Sequence, residues 1–281
     1  MSSESLLGAR AVRELLEQHD IRPRKSLGQN FVIDPNTIRK MVSVAQIEAD
    51  DVVLEVGAGA GSLTLALAAL ADRVVALERD PDLIPVLEQV LGGRDNVDVL
   101  RSDALEQDLS GLDATRLVAN LPYNVAATVV LRTLETAPKI ADLTVMTQRE
   151  VGERLAAGVG SKAYGLTSVL VAYHAVARVA AQVSRRAFWP EPNVDSVILK
   201  VVRRPPPEVP SEVLFPIVRA AFSQRRKMLR GSLRGIVAHP EHLEDALAKA
   251  GIDPTIRAET LDLHGFVSLA EHMRPYLVSA R

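Results

Sequence analysis

Hydrophobic and polar positions change period several times along the 281-residue chain. Over residues 4–19, Leu6, Leu7, Ala11, Leu15 and Leu16 share one face at helical spacing, which predicts an amphipathic helix. Residues 24–31, Arg-Lys-Ser-Leu-Gly-Gln-Asn-Phe, carry no period. Asp34 and Pro35 then have the chemistry of a helix start, as N-cap and first helical residue, and predict a helix to about Ala45. Residues 52–56 form an apolar run interrupted only by Glu55, the pattern of a buried parallel strand. The glycine loop Gly57-Ala58-Gly59-Ala60-Gly61-Ser62 follows, and a helical stretch over 63–71 comes next. Strand, glycine loop and helix in that order open a doubly wound α/β domain. Further strands are predicted at 73–77, 97–101, 117–119 and 143–146, with helices at 125–134 and 148–157. Residues 168–177 and 179–183 are apolar and largely β-branched, and 197–202 reads as a last strand pairing antiparallel in the same sheet. The segment 203–210, Arg-Arg-Pro-Pro-Pro-Glu-Val-Pro, is a stiff linker. Beyond it only helical periods occur, at 214–222, 226–234, 242–250 and 269–276. The expected fold class is therefore α/β, with a doubly wound, Rossmann-like sheet over 1–204 and a small all-helical C-terminal domain over 205–281.

The strand ends carry the chemistry. Gly57, Glu78, Asp103 and Asn120 close four successive strands, and the ligand crevice of such a sheet lies at those ends. Glu78 stands 21 residues beyond Gly57 (78 − 57), where this architecture holds a ribose hydroxyl. A nicotinamide dinucleotide is the competing ligand, but its fingerprint is G-x-G-x-x-G, and here Ser62 holds the last position. The set favours S-adenosylmethionine, with its ribose on Glu78 and its adenine amino group on Asp103. Asn120-Leu121-Pro122-Tyr123 then supplies a second half-site. The Asn120 amide both accepts and donates. Pro122 biases Leu121 toward an extended conformation and so aims its carbonyl. Tyr123 offers a flat face for a base. Together they suit a planar group bearing an amino substituent.

Composition narrows the class. The chain has no cysteine, which excludes disulfides, thiolate zinc sites, iron–sulfur clusters and cysteine nucleophiles, and with them radical methyl transfer and cytosine-C5 chemistry. The six histidines are scattered, so no metal site is expected. No run is long and apolar enough to span a bilayer, and the N-terminus lacks the apolar centre of a signal peptide, so a cytoplasmic protein without a membrane partner is expected. The net charge of −2 gives no sign of a nucleic-acid partner, but Arg225, Arg226, Lys227, Arg230 and Arg234 cluster, and such a patch suits a phosphate backbone.

The quoted residues, in order, are similar to a known family. Gly-Gln-Asn-Phe at 28–31, E-V-G-A-G-A-G at 55–61, Glu78, S-D-A-L at 102–105, N-L-P-Y-N at 120–124, F-x-P-x-P-x-V-D-S at 188–196 and R-R-K-x-L-R at 225–230 span most of the chain. In these motifs it resembles the KsgA-type small-subunit ribosomal RNA adenine dimethyltransferases more than their Erm-type relatives, which act on large-subunit RNA. The resemblance implies a class I methyltransferase sheet that dimethylates two adjacent adenines in the 3′-terminal hairpin loop of 16S ribosomal RNA, within an immature small subunit. It implies that Asn30, Val32, Gly57, Glu78, Asp103 and Asn120 contact the methyl donor, Val32 through its backbone and in place of a usual leucine. It places Asn120, Leu121, Tyr123 and Phe188 around the target base, with Tyr123 and Phe188 sandwiching it. Arg225, Arg226, Lys227 and Arg230 are expected on one helix facing RNA. A monomer is expected. Two other readings stand beside this one: a factor that acts mainly by binding immature subunits, and a small-molecule methyltransferase, which the basic C-terminal segment disfavours.

Overall fold

The structure is a computed structural model that describes residues 6–24, 28–224 and 226–277. It divides into two compact units, Met1–Gly152 with Ala177–Arg203, and Glu153–Val176 with Arg204–Arg281. Residues 153–176 group with the helical unit rather than with the sheet.

The first unit is built on a seven-stranded sheet. Its strands are β2 (Val52–Val56), β3 (Arg73–Glu78), β4 (Val97–Arg101), β5 (Arg116–Asn120), β6 (Asp142–Gln148), β7 (Ala175–Val183) and β9 (Ser196–Arg203), in the order β4-β3-β2-β5-β6-β9-β7. The five strands from β4 to β6 are parallel, and β9 runs antiparallel to β6 as expected. Strand order reverses between β2 and β5, so their carboxyl ends flank the crevice of this fold. Strands β2 and β5 read as near-continuous apolar runs because both their faces are covered, with Val53, Leu54, Leu117 and Val118 all buried, and in β6 the polar Thr144 and Thr147 are buried along with Leu143 and Val145. A separate two-stranded ribbon pairs β1 (Phe31–Val32) with β8 (Phe188–Trp189).

Helices cover the sheet in the unit: α1 (Ala9–Gln18), α2 (Pro35–Ala45), α3 (Ser62–Ala68), α4 (Ile84–Leu91) and α5 (Ala126–Thr136). The start of α2 is as its sequence predicts, since the Asp34 carboxylate accepts the N–H groups of Asn36 and Thr37. Trp189 packs beside the α1 residues Val12, Leu15 and Leu16, and the Arg13 guanidinium lies 5.9 Å from its ring centre.

The second unit holds α7 (Leu166–His174), α8 (Ser211–Ser223), α9 (Leu229–Ser232), α10 (Pro240–Lys249) and α11 (Leu263–Met273), with α6 (Arg149–Leu155) entering it at Glu153. The β-branched stretch from 168 is helical up to His174. Val169 and Tyr173 are buried there among Leu214, Ile217, Phe266 and Leu269, and that burial outweighs strand propensity. The basic segment is not one helix. Leu229 N–H donates to the Ile256 carbonyl and Met228 bridges Arg257, so helical structure begins only at Leu229. Arg226 and Lys227 lie in the turn before it and Arg230 lies on it. All three are exposed, without an acidic partner at ion-pair distance among the described residues, and Arg225 lies outside those residues.

Candidate active site

One cavity in the first unit is lined by Asn30, Val32, Gly57, Glu78, Asp103, Asn120, Leu121 and Tyr123. These residues come from five places in the chain, and the sheet brings them together because β2, β3, β4 and β5 all end at one edge.

The glycine loop leaves β2 with left-handed backbone at Gly57 (φ +77°) and Gly59 (φ +58°), which only glycine adopts without strain. A side chain at Gly59 would also stand 3.4 Å from the Phe31 ring, so the loop and the aromatic share one wall. Gly57 and Ala58 donate to the Leu77 carbonyl, which pulls the loop onto the end of β3. Glu78 completes that tie. Its Oε2 accepts Gly59 N–H and its Oε1 accepts Asp80 N–H, both at 2.8 Å. Burial raises the Glu78 carboxyl above the ordinary range, against these backbone bonds.

Asp80 is a site residue that motif reading missed. Its buried carboxylate accepts Arg24 Nη1 at 2.9 Å and Gln29 Nε2 at 2.6 Å, fastening the segment before Asn30 to the turn beyond Glu78. Gln29 sits inside a quoted motif, but nothing in the local pattern names a partner 51 residues away. The other end of the segment is held from β5: Asn120 Nδ2 donates to the Asn30 carbonyl at 3.2 Å. That commitment leaves Asn120 Oδ1 as an acceptor with no donor among the described residues. The Leu121 N–H donates to Met146 O on β6, which fixes the peptide whose carbonyl follows. Asp103 Oδ1 accepts Leu105 N–H, while its Oδ2 lies 3.2 Å from Arg79.

Phe188 is placed differently from expectation. It is 2% exposed and packs with Val32, Met146 and Ile198 in the core, because its strand pairs with Val32 in β1. It does not line the cavity, so the expected sandwich with Tyr123 is not assembled in this structure. Asp195 acts on backbone, as expected, accepting Arg185 N–H at 3.0 Å.

Two titrations follow from the geometry. Glu78→Gln is expected to weaken S-adenosylmethionine binding by about 1.5–3 kcal/mol, the worth of hydrogen bonds to a charged group. Wild-type affinity should also fall as pH is lowered into the raised range of Glu78. Calorimetry that finds equal affinity in the variant removes Glu78 from the site. Glu55, fully buried on β2, is pushed by burial from 4.5 to about 8. Between those values the folded chain keeps a proton that the unfolded chain has released, so stability declines as pH rises through that window. Glu55→Gln should therefore gain melting temperature over wild type at pH 8.5 but not at pH 4.5; a gap independent of pH would contradict this.

Residues 21–274 match the family described as ribosomal RNA adenine dimethylase. Proteins called ribosomal RNA small subunit methyltransferase A are similar over nearly the whole chain. That of Kineococcus radiotolerans is 47% identical, over 95% of this chain and 92% of its own. That of Streptomyces coelicolor is 46% identical, over 96% and 97%. Among solved structures, a dimethyladenosine transferase from Plasmodium falciparum shares the fold with a TM-score of 0.78 and 24% identity, over 87% of this chain and 98% of that one. The 23S rRNA methyltransferase ErmE superposes with a TM-score of 0.67 at 27% identity, over 87% and 100%. The chain belongs to the ribosomal RNA adenine dimethylase family and is an S-adenosylmethionine-dependent methyltransferase.

Proposed function

We propose that the chain dimethylates N6 of two adjacent adenines in the 3′-terminal hairpin loop of 16S ribosomal RNA, acting as a cytoplasmic monomer on an immature small subunit. The observation that carries this reading is Asn120: its Nδ2 is engaged by the Asn30 carbonyl, its Oδ1 has no donor among the described residues, and it lines the same cavity as Leu121 and Glu78.

The donor set suits S-adenosylmethionine. Glu78 takes the ribose hydroxyls with lone pairs left over from its two backbone bonds, and Asp103 accepts the adenine amino group. Asn30, Val32 and Gly57 line the same walls. When bound, S-adenosylmethionine supplies an electrophilic methyl group on a sulfonium. The chain's own work is to place the acceptor. The N6 amine of adenine is a poor nucleophile because its lone pair is delocalised into the ring. Asn120 Oδ1 and the Leu121 carbonyl accept its two N–H bonds and draw the nitrogen toward a tetrahedral shape. The lone pair is thereby freed along the line of attack. The nitrogen becomes acidic once methylated, so a strong base is not required. Positioning of this kind lowers a barrier by about 7–11 kcal/mol. The base must leave its stack to enter, and Tyr123 receives its face at about 1–3 kcal/mol.

In this reading residues 1–204 carry the chemistry and the helical segment after them carries RNA contacts through Arg225, Arg226, Lys227 and Arg230. The test is mass spectrometry of the RNA 3′ end after incubating unmethylated small subunits with protein and donor. Wild type should yield dimethyladenosine at two neighbouring positions. Arg226→Glu with Lys227→Glu should lose most of that product and bind subunits weakly, with a reduced salt dependence, while donor affinity and melting temperature stay near wild type. Absence of dimethyladenosine with wild type, or full product with the double variant, refutes the assignment it tests.

A further inference from the structure

We propose that Ser196 is a positioning residue for the base-stacking face, acting through the Tyr123 hydroxyl; this rests on the reading that Tyr123 receives the target base. The Tyr123 hydroxyl and Ser196 Oγ share a hydrogen bond of 2.9 Å. Ser196 is fully buried as the first residue of β9 and pairs with Gln148 at the end of β6. Its neighbour Asp195 is tied twice, its carbonyl accepting Arg149 N–H and its carboxylate accepting Arg185 N–H, each at 3.0 Å. The anchor therefore belongs to the sheet. Tyr123 belongs to a turn: it is half-buried, and it follows Pro122 outside any strand. Two rotatable bonds separate its ring from the backbone. A hydrogen bond at the far end of the ring fixes the first torsion and the direction of the ring axis, and because a phenolic O–H prefers the plane of its ring it also biases the second.

Burial holds the tyrosine hydroxyl above its ordinary range, so it remains a neutral partner for Ser196 throughout the working pH. The ring is thus held in position before RNA arrives, and stacking bears less of the cost of ordering it. The Phe188 ring, sealed in the core, gives no support on the cavity side, which leaves Ser196 as the described contact that orients the platform by its polar end. A stacking role alone assigns no use to the hydroxyl; this geometry does.

The experiment is a double-mutant cycle with Ser196→Ala, Tyr123→Phe and the two combined, beside Tyr123→Ala. Single-turnover methylation, KM for the RNA substrate, S-adenosylmethionine affinity and melting temperature are measured for each. Each single variant should lose about three- to tenfold in methylation rate or RNA affinity, the worth of one hydrogen bond, with donor affinity unchanged. The combined variant should be no worse than either single one, because both remove the same bond. Losses that multiply, or a wild-type Ser196→Ala, overturn the proposal. Comparing fold losses against melting temperature separates positioning from stability, since Tyr123→Phe reaches the same bond without touching the buried serine. If Tyr123→Ala keeps the wild-type rate, it is the stacking reading that fails, and the cycle identifies that case separately.

Discussion

Asn120→Ala is expected to slow methyl transfer by roughly 10²–10³-fold in single turnover at saturating donor and RNA, the scale of losing one preorganised transition-state hydrogen bond. The residue closes β5 at the crevice, and its amide is divided between two tasks. One side, Nδ2, holds the Asn30 carbonyl at 3.2 Å. The other, Oδ1, has no donor among the described residues and in the proposed mechanism accepts the target amine. Alanine removes both, but they have different signatures. Loss of the Asn30 contact loosens a wall of the donor cavity and appears as weaker donor binding, by about 0.5–1.5 kcal/mol. Loss of the acceptor persists when both substrates saturate. A residue that merely ends a strand would give rate and stability losses in proportion. Rapid-quench methylation beside thermal unfolding separates these outcomes, and a folded variant that turns over near the wild-type rate would remove Asn120 from the chemistry.

The second large effect lies at the opposite end of the same strands. Asp142, at the start of β6, accepts Lys200 Nζ and Arg116 Nη1, each at 2.6 Å. Arg116 also pairs with Asp51 at 2.5 Å, and Lys200 donates to the Ala45 carbonyl at 3.0 Å. Lys200, Asp51 and Asp142 are buried. Asp142→Ala leaves Arg116 with Asp51 alone and the buried Lys200 ammonium with the Ala45 carbonyl but no carboxylate, and breaking a buried pair in this way costs about 3–5 kcal/mol. The melting temperature should fall by roughly 2–4 °C for each kcal/mol. Asp142→Asn, which still accepts hydrogen bonds, should lose less. Donor affinity, measured where the variant is folded, should be unchanged, since the cluster is at the far edge of the sheet. Denaturant unfolding that finds Asp142→Ala within 1 kcal/mol of wild type, a limit set by the floor of that estimate, would show that the cluster adds nothing to stability.

Much of the fold was legible because its signals are local. The strands at 52–56 and 97–101 fall where apolar runs meet turn residues, and α2 begins where Asp34 and Pro35 require. The four strand-end residues were found because a parallel sheet delivers all its carboxyl ends to one edge. What escaped was non-local or concealed. Helix α4 follows Asp80-Pro81 and contains Pro85 in its first turn, so its period is short and its start looks like a turn. The helix at 166–174 has strand-forming residues and is decided by what buries them. Ser196 bonds a tyrosine 73 residues away, and no spacing rule links two such positions. Phe188 shows the converse: its motif was visible, but the strand pairing that turns it into the core was not.

The reversed direction of β9 has a consequence for how the sheet guards its own assembly. A strand running against its neighbours begins where they finish, so β9 starts at the crevice with Ser196 and reaches Lys200 on its way to the buried charges. One strand is thereby checked at two distant points. A slip of one residue against β6 would turn Lys200 and Ser196 to the opposite face, and a slip of two would carry both past their partners. Either error would strand an ammonium in the core and release the tyrosine together. A chain with that strand misaligned would thus forfeit stability and the Tyr123–Ser196 bond in a single step, and the alignment that keeps one keeps the other.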